Sequence, residues 1–287
     1  MIYILLSISC SITVAVLLKL AKRYKIHVLQ AVMWNYLTAV ILSYIFFKPD
    51  LKDLTVFPSQ LNITLGILLP LLFLVLAASV RNIGIVKTDI AQRLSLFIPI
   101  LASLYLFGEH FSGLKIAGLI VGFVAIFLTL FRKSAASTEK YAYLYPVLVF
   151  VGFGAIDVLF KQLAQDKSIP YTTALLMIFC IAFVVALLTL LYTIFIKKQK
   201  VELVNLICGV ILGGFNFGNI LFYMKAHRSM AENPSTVFAA MNMGVILLGS
   251  LVGIILFKEK VSKLNYVGIA MALAAIVLIT LSQQHAV

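Results

Sequence analysis

Ten apolar runs, most of them near twenty residues long, occupy almost the whole of this chain, near 2–20, 28–47, 62–83, 89–108, 113–131, 143–164, 171–196, 203–224, 235–257 and 264–282. A hydrocarbon core about 30 Å thick is crossed by about 20 helical residues. Inside it the backbone must satisfy its own hydrogen bonds, which a helix does within one segment. Barrel strands would alternate polar and apolar residues over about ten positions, and no such alternation is present. The reading is an all-α polytopic membrane protein of ten transmembrane helices, with connections too short for a soluble domain. Composition agrees: 63% of residues are hydrophobic and 11% charged, against about a quarter charged in ordinary soluble domains.

The first run starts at Met1 without a basic leader or a cleavage pattern, so it is read as a retained helix. Cys10, Cys180 and Cys208 lie within apolar runs, where thiols behave as small hydrophobes. No disulfide framework, metal site or cofactor is expected. The net charge of +13 reads as a topology signal, not as a nucleic-acid footprint. Sixteen of the 23 Lys and Arg residues follow odd-numbered spans, which by the positive-inside rule places those loops in the cytoplasm and both termini outside.

Two short segments write the same outline twice. "LFGEHFSGLKIAG", Leu106 to Gly118, and "LFKEKVSKLNYVG", Leu256 to Gly268, share Leu, Phe, Glu, Ser, Leu and Gly in one register at a shift of 150 residues. Apolar matches are cheap in such a chain; matched Glu109/Glu259, Ser112/Ser262 and Gly118/Gly268 are not, since the chain has 10 acidic residues in all. A weaker echo joins "VLLKLA" from Val16 to "VLFKQL" from Val158. The chain therefore divides into an N-terminal repeat, residues 1–131, a linker "RKSAASTEK", residues 132–140, and a C-terminal repeat, residues 141–287. Each repeat holds five helices. Because five is odd, the second copy enters the membrane from the opposite side, which gives an inverted-topology repeat.

Ten helices in a five-plus-five repeat, a lysine near the end of spans 1 and 6, "FGE" and "FKE" closing spans 4 and 9, and "CGVILGGFNFGNILFYMKA" in span 8 resemble the EamA family of the drug/metabolite transporter superfamily. The resemblance covers essentially the whole chain. It implies a multi-pass carrier of the bacterial inner (plasma) membrane that moves a small organic solute or metabolite by alternating access, with export as the expected direction. It also implies a monomer or weak homodimer among membrane lipids, without nucleic acid. The family's usual topology puts both termini in the cytoplasm, opposite to the charge count.

Within the duplicated hinge, Ser112 and Ser262 are placed to cap the following helices. Glu109 and Glu259 fall near those helix N-termini, where negative charge is favoured, or pair with neighbouring basic residues. Gly118 and Gly268 allow close helix packing. The hinge is read as a structural element at the membrane surface.

Chemistry is sought deeper, where an ionisable group is costly. Asp157 in "GFGAIDVLFK" has Lys161 four residues on, on the same helix face. The plain reading is an intrahelical ion pair; the functional one is a substrate or proton site. Ala15 stands at the repeat position of Asp157, so symmetry does not require the acid. Span 4 carries Gln92, Arg93 and Ser95, and Gln92 falls on Asn242 of span 9. These amides would face each other across the repeat axis, as substrate contacts or as interhelical hydrogen bonds. Arg93 either snorkels or offers a planar fork to an anion.

Span 8 reads "GGFNFGN", with Asn216 and Asn219 on one face and Tyr223 beyond; interrupted or Gly-rich segments point to transporter sites. Trp34, Asn35 and Tyr36 add an aromatic and amide cluster, suited to a cavity for organic solutes or to interfacial anchoring. Pro70 and Pro99 are candidate bending points. His27, His110, His227 and His285 have no ligand spacing. The competing readings are translocation of a lipid or lipid-linked sugar by the same fold, and a membrane-embedded enzyme, disfavoured because clustered carboxylates or histidines are lacking.

Overall fold

The computed structural model describes residues 2–23, 26–49, 58–83, 85–130, 144–198, 200–257 and 262–284. All regular structure among them is helical, in eleven helices: α1 (Ile2–Arg23), α2 (Val28–Phe47), α3 (Gln60–Ile83), α4 (Ile85–Leu94), α5 (Phe97–Tyr105), α6 (Gly113–Leu130), α7 (Leu144–Gln165), α8 (Tyr171–Lys197), α9 (Leu203–Ser229), α10 (Pro234–Phe257) and α11 (Lys263–Gln284). The predicted linker and Glu259 lie outside the described residues.

Seven of these helices are long and apolar enough to cross a membrane, and Ile2–Leu17, Ala91–Tyr105 and Gly113–Leu128 form shorter apolar segments. The outward faces are apolar along most helices, for example Phe46, Ile120, Leu188 and Ile255. Water does not favour so extensive an apolar surface, whereas lipid does. The chain is therefore an all-helical protein of multi-pass membrane type.

Ten spans were predicted and eleven helices form, because span 4 is broken. Pro99 has no N–H to give the Ser95 carbonyl. That carbonyl instead accepts from Ile98 N–H at 3.0 Å, the Leu96 N–H turns to Arg93 O at 3.3 Å, and the Ser95 hydroxyl donates to Gln92 O at 2.6 Å. The helix tightens and interrupts at Ser95 and Leu96, one turn before the proline. The corresponding position in α10 is Gly249, and α10 runs unbroken. So does α3 through Pro70, so the two prolines differ in effect.

The helices pack in a definite set of pairs. α6 lies along α11; α9 packs on both α1 and α2; α3 packs on both α7 and α8; α2 meets α8; α1 meets α10, and α7 meets α4 and α5. A Cβ on Gly118 of α6 would lie 2.7 Å from Ile279 Cγ1 of α11, the close approach that small residues permit in lipid. The predicted caps form. Ser112 Oγ accepts from the Lys115 N–H at 3.3 Å. Ser262 and Asn265 cap each other reciprocally, with the Asn265 N–H to Ser262 Oγ at 3.2 Å and the Ser262 N–H to Asn265 Oδ1 at 3.0 Å. The remaining amide N–H of Asn265 crosses to Leu128 O of α6 at 3.0 Å.

Candidate functional site

Helix α9 organises the interior. Its buried residues include Asn205, Gly209, Gly213, Asn216, Ile220, Tyr223 and His227, spaced by three and four, so they form one stripe along the helix. At one end of the stripe Asn205 Nδ2 donates to Gln30 Oε1 of α2 at 2.8 Å, and its own Oδ1 accepts the His27 N–H at 3.0 Å. Next along it, a Cβ on Gly209 would come within 2.7 Å of Ala31 O, and one on Gly213 within 2.6 Å of Asn35 O. The glycines thus seat α9 against the backbone of α2. They do not interrupt the helix, which is continuous for 27 residues.

Further along the stripe the polar groups become chemical. The Tyr223 hydroxyl donates to Asp157 Oδ1 of α7 at 2.8 Å. The Phe160 ring meets Tyr223 edge-on at 6.2 Å. His227, one turn beyond Tyr223, crosses that phenol ring at 4.6 Å and the Phe238 ring of α10 at 4.7 Å. It is fully buried, and neither ring nitrogen has a hydrogen-bond partner.

Lys161, also fully buried, does not pair with Asp157. Its ammonium donates to Ala231 O in the α9–α10 turn at 2.7 Å and lies over the Phe107 ring at 5.8 Å. The predicted intrahelical ion pair is therefore absent, because each member has a better-placed partner on another element. Sequence reading missed His227 by placing it near a helix end. Its spacing of four from Tyr223, on the same face, was the available signal.

The other predicted residues separate. Trp34 is partly buried, while Asn35 and Tyr36 are fully buried in α2 and so are not interfacial anchors. Trp34 Nε1, both amide atoms of Asn35, the Tyr36 hydroxyl and Asn216 Nδ2 have no hydrogen-bond partner within the protein. A buried polar group left unpaired costs about 1–3 kcal/mol, and each such group needs a reason. Asn219 does not join Asn216; its Oδ1 accepts from Ser7 of α1 at 2.7 Å. Asn242 turns its amide onto Phe238 O of its own helix at 3.1 Å. Gln92 and Asn242 share no hydrogen bond, so the expected amide pairing across the axis does not form. Arg93 is half-buried on α4.

The duplicated hinge proves less superficial than its sequence suggests. Glu109 is 6% exposed. It ion-pairs with Lys115 at the start of α6, the alternative foreseen above, yet it does not sit at the N-terminus of its own following helix. Its oxygens accept from the Ser235 backbone N–H at 2.9 Å and the Ser235 hydroxyl at 2.7 Å. Lys115 also donates to Asn233 Oδ1 at 3.1 Å. The reason is the start of α10. Pro234 supplies no N–H and Ser235 carries an orphan donor in the first turn, where a carboxylate is favoured by the helix dipole as well. A residue between α5 and α6 thus caps α10. With Lys161 on Ala231, three charged side chains fasten the α9–α10 turn.

No protein-family profile matches the chain. An uncharacterized protein of Haemophilus influenzae is 40% identical to it over 282 residues, covering 95% of each chain. The chain belongs to that protein's family. A solved crystal structure resembles it with a TM-score of 0.72 over 97% of this chain and 98% of the other, at 16% identity. That likeness is one of fold, and it runs the length of both chains.

Proposed function

We propose that this protein is a secondary carrier of the EamA type, built from two inverted five-helix halves, that moves a small organic solute across the bacterial inner membrane by alternating access, in the direction of export. The observation that carries the reading is the helix pairing. Exchange α1 with α7, α2 with α8, α3 with α9, the broken α4 and α5 with α10, and α6 with α11. The pairs α1–α9 and α7–α3 then change places, as do α2–α9 with α8–α3 and α1–α10 with α7–α4 and α7–α5, while α6–α11 and α2–α8 map onto themselves. Such an exchange is what two homologous halves facing each other about an axis in the membrane plane would give. The duplicated hinge supplies the same correspondence in sequence.

In this reading the unpaired polar groups of α2 and α9, on Trp34, Asn35, Tyr36 and Asn216, supply the solute's hydrogen-bond donors and acceptors. The turn fastened by Glu109, Lys115 and Lys161 is closed, and opening at that end requires those bonds to part. The interruption in span 4 gives one half a joint that α10 lacks.

Binding to the purified protein tests this. Amino acids, nucleosides and sugars are screened by thermal unfolding beside a matching panel of phospholipids. A solute present at 100 times its Kd is expected to stabilise the protein by about 2.7 kcal/mol. Stabilisation by lipids alone would replace the solute carrier with a lipid or lipid-linked-sugar translocase.

A further inference from the structure

The polar cluster between α7 and α9 contains a carboxyl group that the solute reading does not use. Asp157 lies eight residues from the end of α7, about 12 Å along the helix, and is partly buried, while its partner Tyr223 and the His227 ring against that phenol are buried. Its bonded neighbour is a phenol, which donates one hydrogen bond and carries no charge. The cation best placed by sequence to neutralise it, Lys161, is committed to Ala231 O.

Among the described side chains, the charged groups on the surrounding elements have contacts or positions of their own. Glu109 and Lys115 pair with one another. Glu232 of the α9–α10 turn, like Glu109, acts on Lys161. Arg228 lies over the Tyr171 ring at 4.6 Å and Lys225 over the Tyr3 ring at 5.8 Å, and Arg93 lies on α4. A carboxylate within the span, without a bonded cation, is costly in a medium of low dielectric. Its charge can be removed by a proton.

We infer that Asp157, hydrogen-bonded by Tyr223 and backed by His227, is a proton-binding site, so that the ion driving this carrier is the proton. Uptake takes one proton from water onto a carboxylate oxygen and gives a neutral acid; release returns it to water on the other side. The phenol serves both forms, donating to the carboxylate or to the carbonyl oxygen of the acid. This assignment rests on the carrier reading for its purpose, yet not for its detection, because the proton itself is the probe.

Infrared difference spectra of the full chain in lipid nanodiscs, recorded from about pH 5 to about pH 8 so that histidine titration is covered too, read the carboxylic-acid C=O stretch directly. The wild type is expected to show a protonated-carboxyl band that Asp157→Asn removes and that Tyr223→Phe moves to higher frequency, since one donor is lost. A band unchanged in Asp157→Asn, a band unmoved in Tyr223→Phe, or no band in the wild type overturns the assignment. A solute that stabilises a protein lacking the band would leave the carrier standing without this site. The band in a protein that binds no solute would leave the site and remove the carrier.

Discussion

Glu109→Ala is expected to destabilise the protein by about 3–5 kcal/mol, the range for removing one partner of a buried ion pair and stranding the other. Three interactions are lost together. Lys115, 3% exposed, is left with Asn233 Oδ1 and the face of the Phe111 ring, and both the N–H and the hydroxyl of Ser235 lose their acceptor. Most of the cost comes from what is left unpaired. Glu109→Ala combined with Lys115→Met should therefore recover a large part of the stability, since a well-packed apolar pair replaces a buried ion pair at little cost. The double variant should still fall short of wild type by about 1–3 kcal/mol, because the N–H of Ser235 remains without a partner. Thermal unfolding of the three purified proteins in one detergent reads both effects. A single variant as stable as wild type would show that the start of α10 is not fastened here.

Gly213→Ala should be as damaging as its neighbour's identical change is harmless. A Cβ at position 213 would stand 2.6 Å from Asn35 O and 2.7 Å from Thr38 Cβ, and the first of these is backbone that has nowhere to go. α9 and α2 must separate, at a cost of about 1–3 kcal/mol for overpacking or more where the whole interface shifts. At Gly214 a Cβ meets nothing within 4 Å, so Gly214→Ala should be neutral or gain up to about 1 kcal/mol in helix propensity. Yield of folded, monodisperse protein and its melting temperature separate the two. Equal behaviour of the pair would mean that α9 does not lie against α2 as described.

Legibility followed the physics of each signal. Helix positions were readable to within a few residues because lipid demands long apolar runs, and turns between them concentrate the polar residues. Ser112 and Ser262 were readable as caps because capping is local. The break at Ser95 was only half-readable: Pro99 marks a missing donor but does not decide between continuity and interruption, since the helix around Pro70 is unbroken.

Partners on other helices were beyond reach. Asp157 and Lys161 share a face in sequence, yet each finds its partner on or beyond α9. Asn219 turns to α1 while Asn216, three residues away, does not. Glu109 was placed at the nearest helix start, and the helix it caps begins 125 residues later. Of the candidate site, Asp157 and Tyr223 were found separately and their contact was not, and His227 was passed over because a position near a helix end says nothing of what packs above it.

The central claim, two homologous halves inserted in opposite directions, is tested most directly at positions that the repeat makes equivalent. Gly113 opens α6 and Lys263 opens α11, both exposed and related by the 150-residue shift. With Cys10, Cys180 and Cys208 replaced by serine, Gly113→Cys and Lys263→Cys are introduced singly and exposed to a membrane-impermeant maleimide on intact cells and on inverted vesicles. The account predicts labelling from opposite sides of the membrane. Labelling of both from the same side would contradict it.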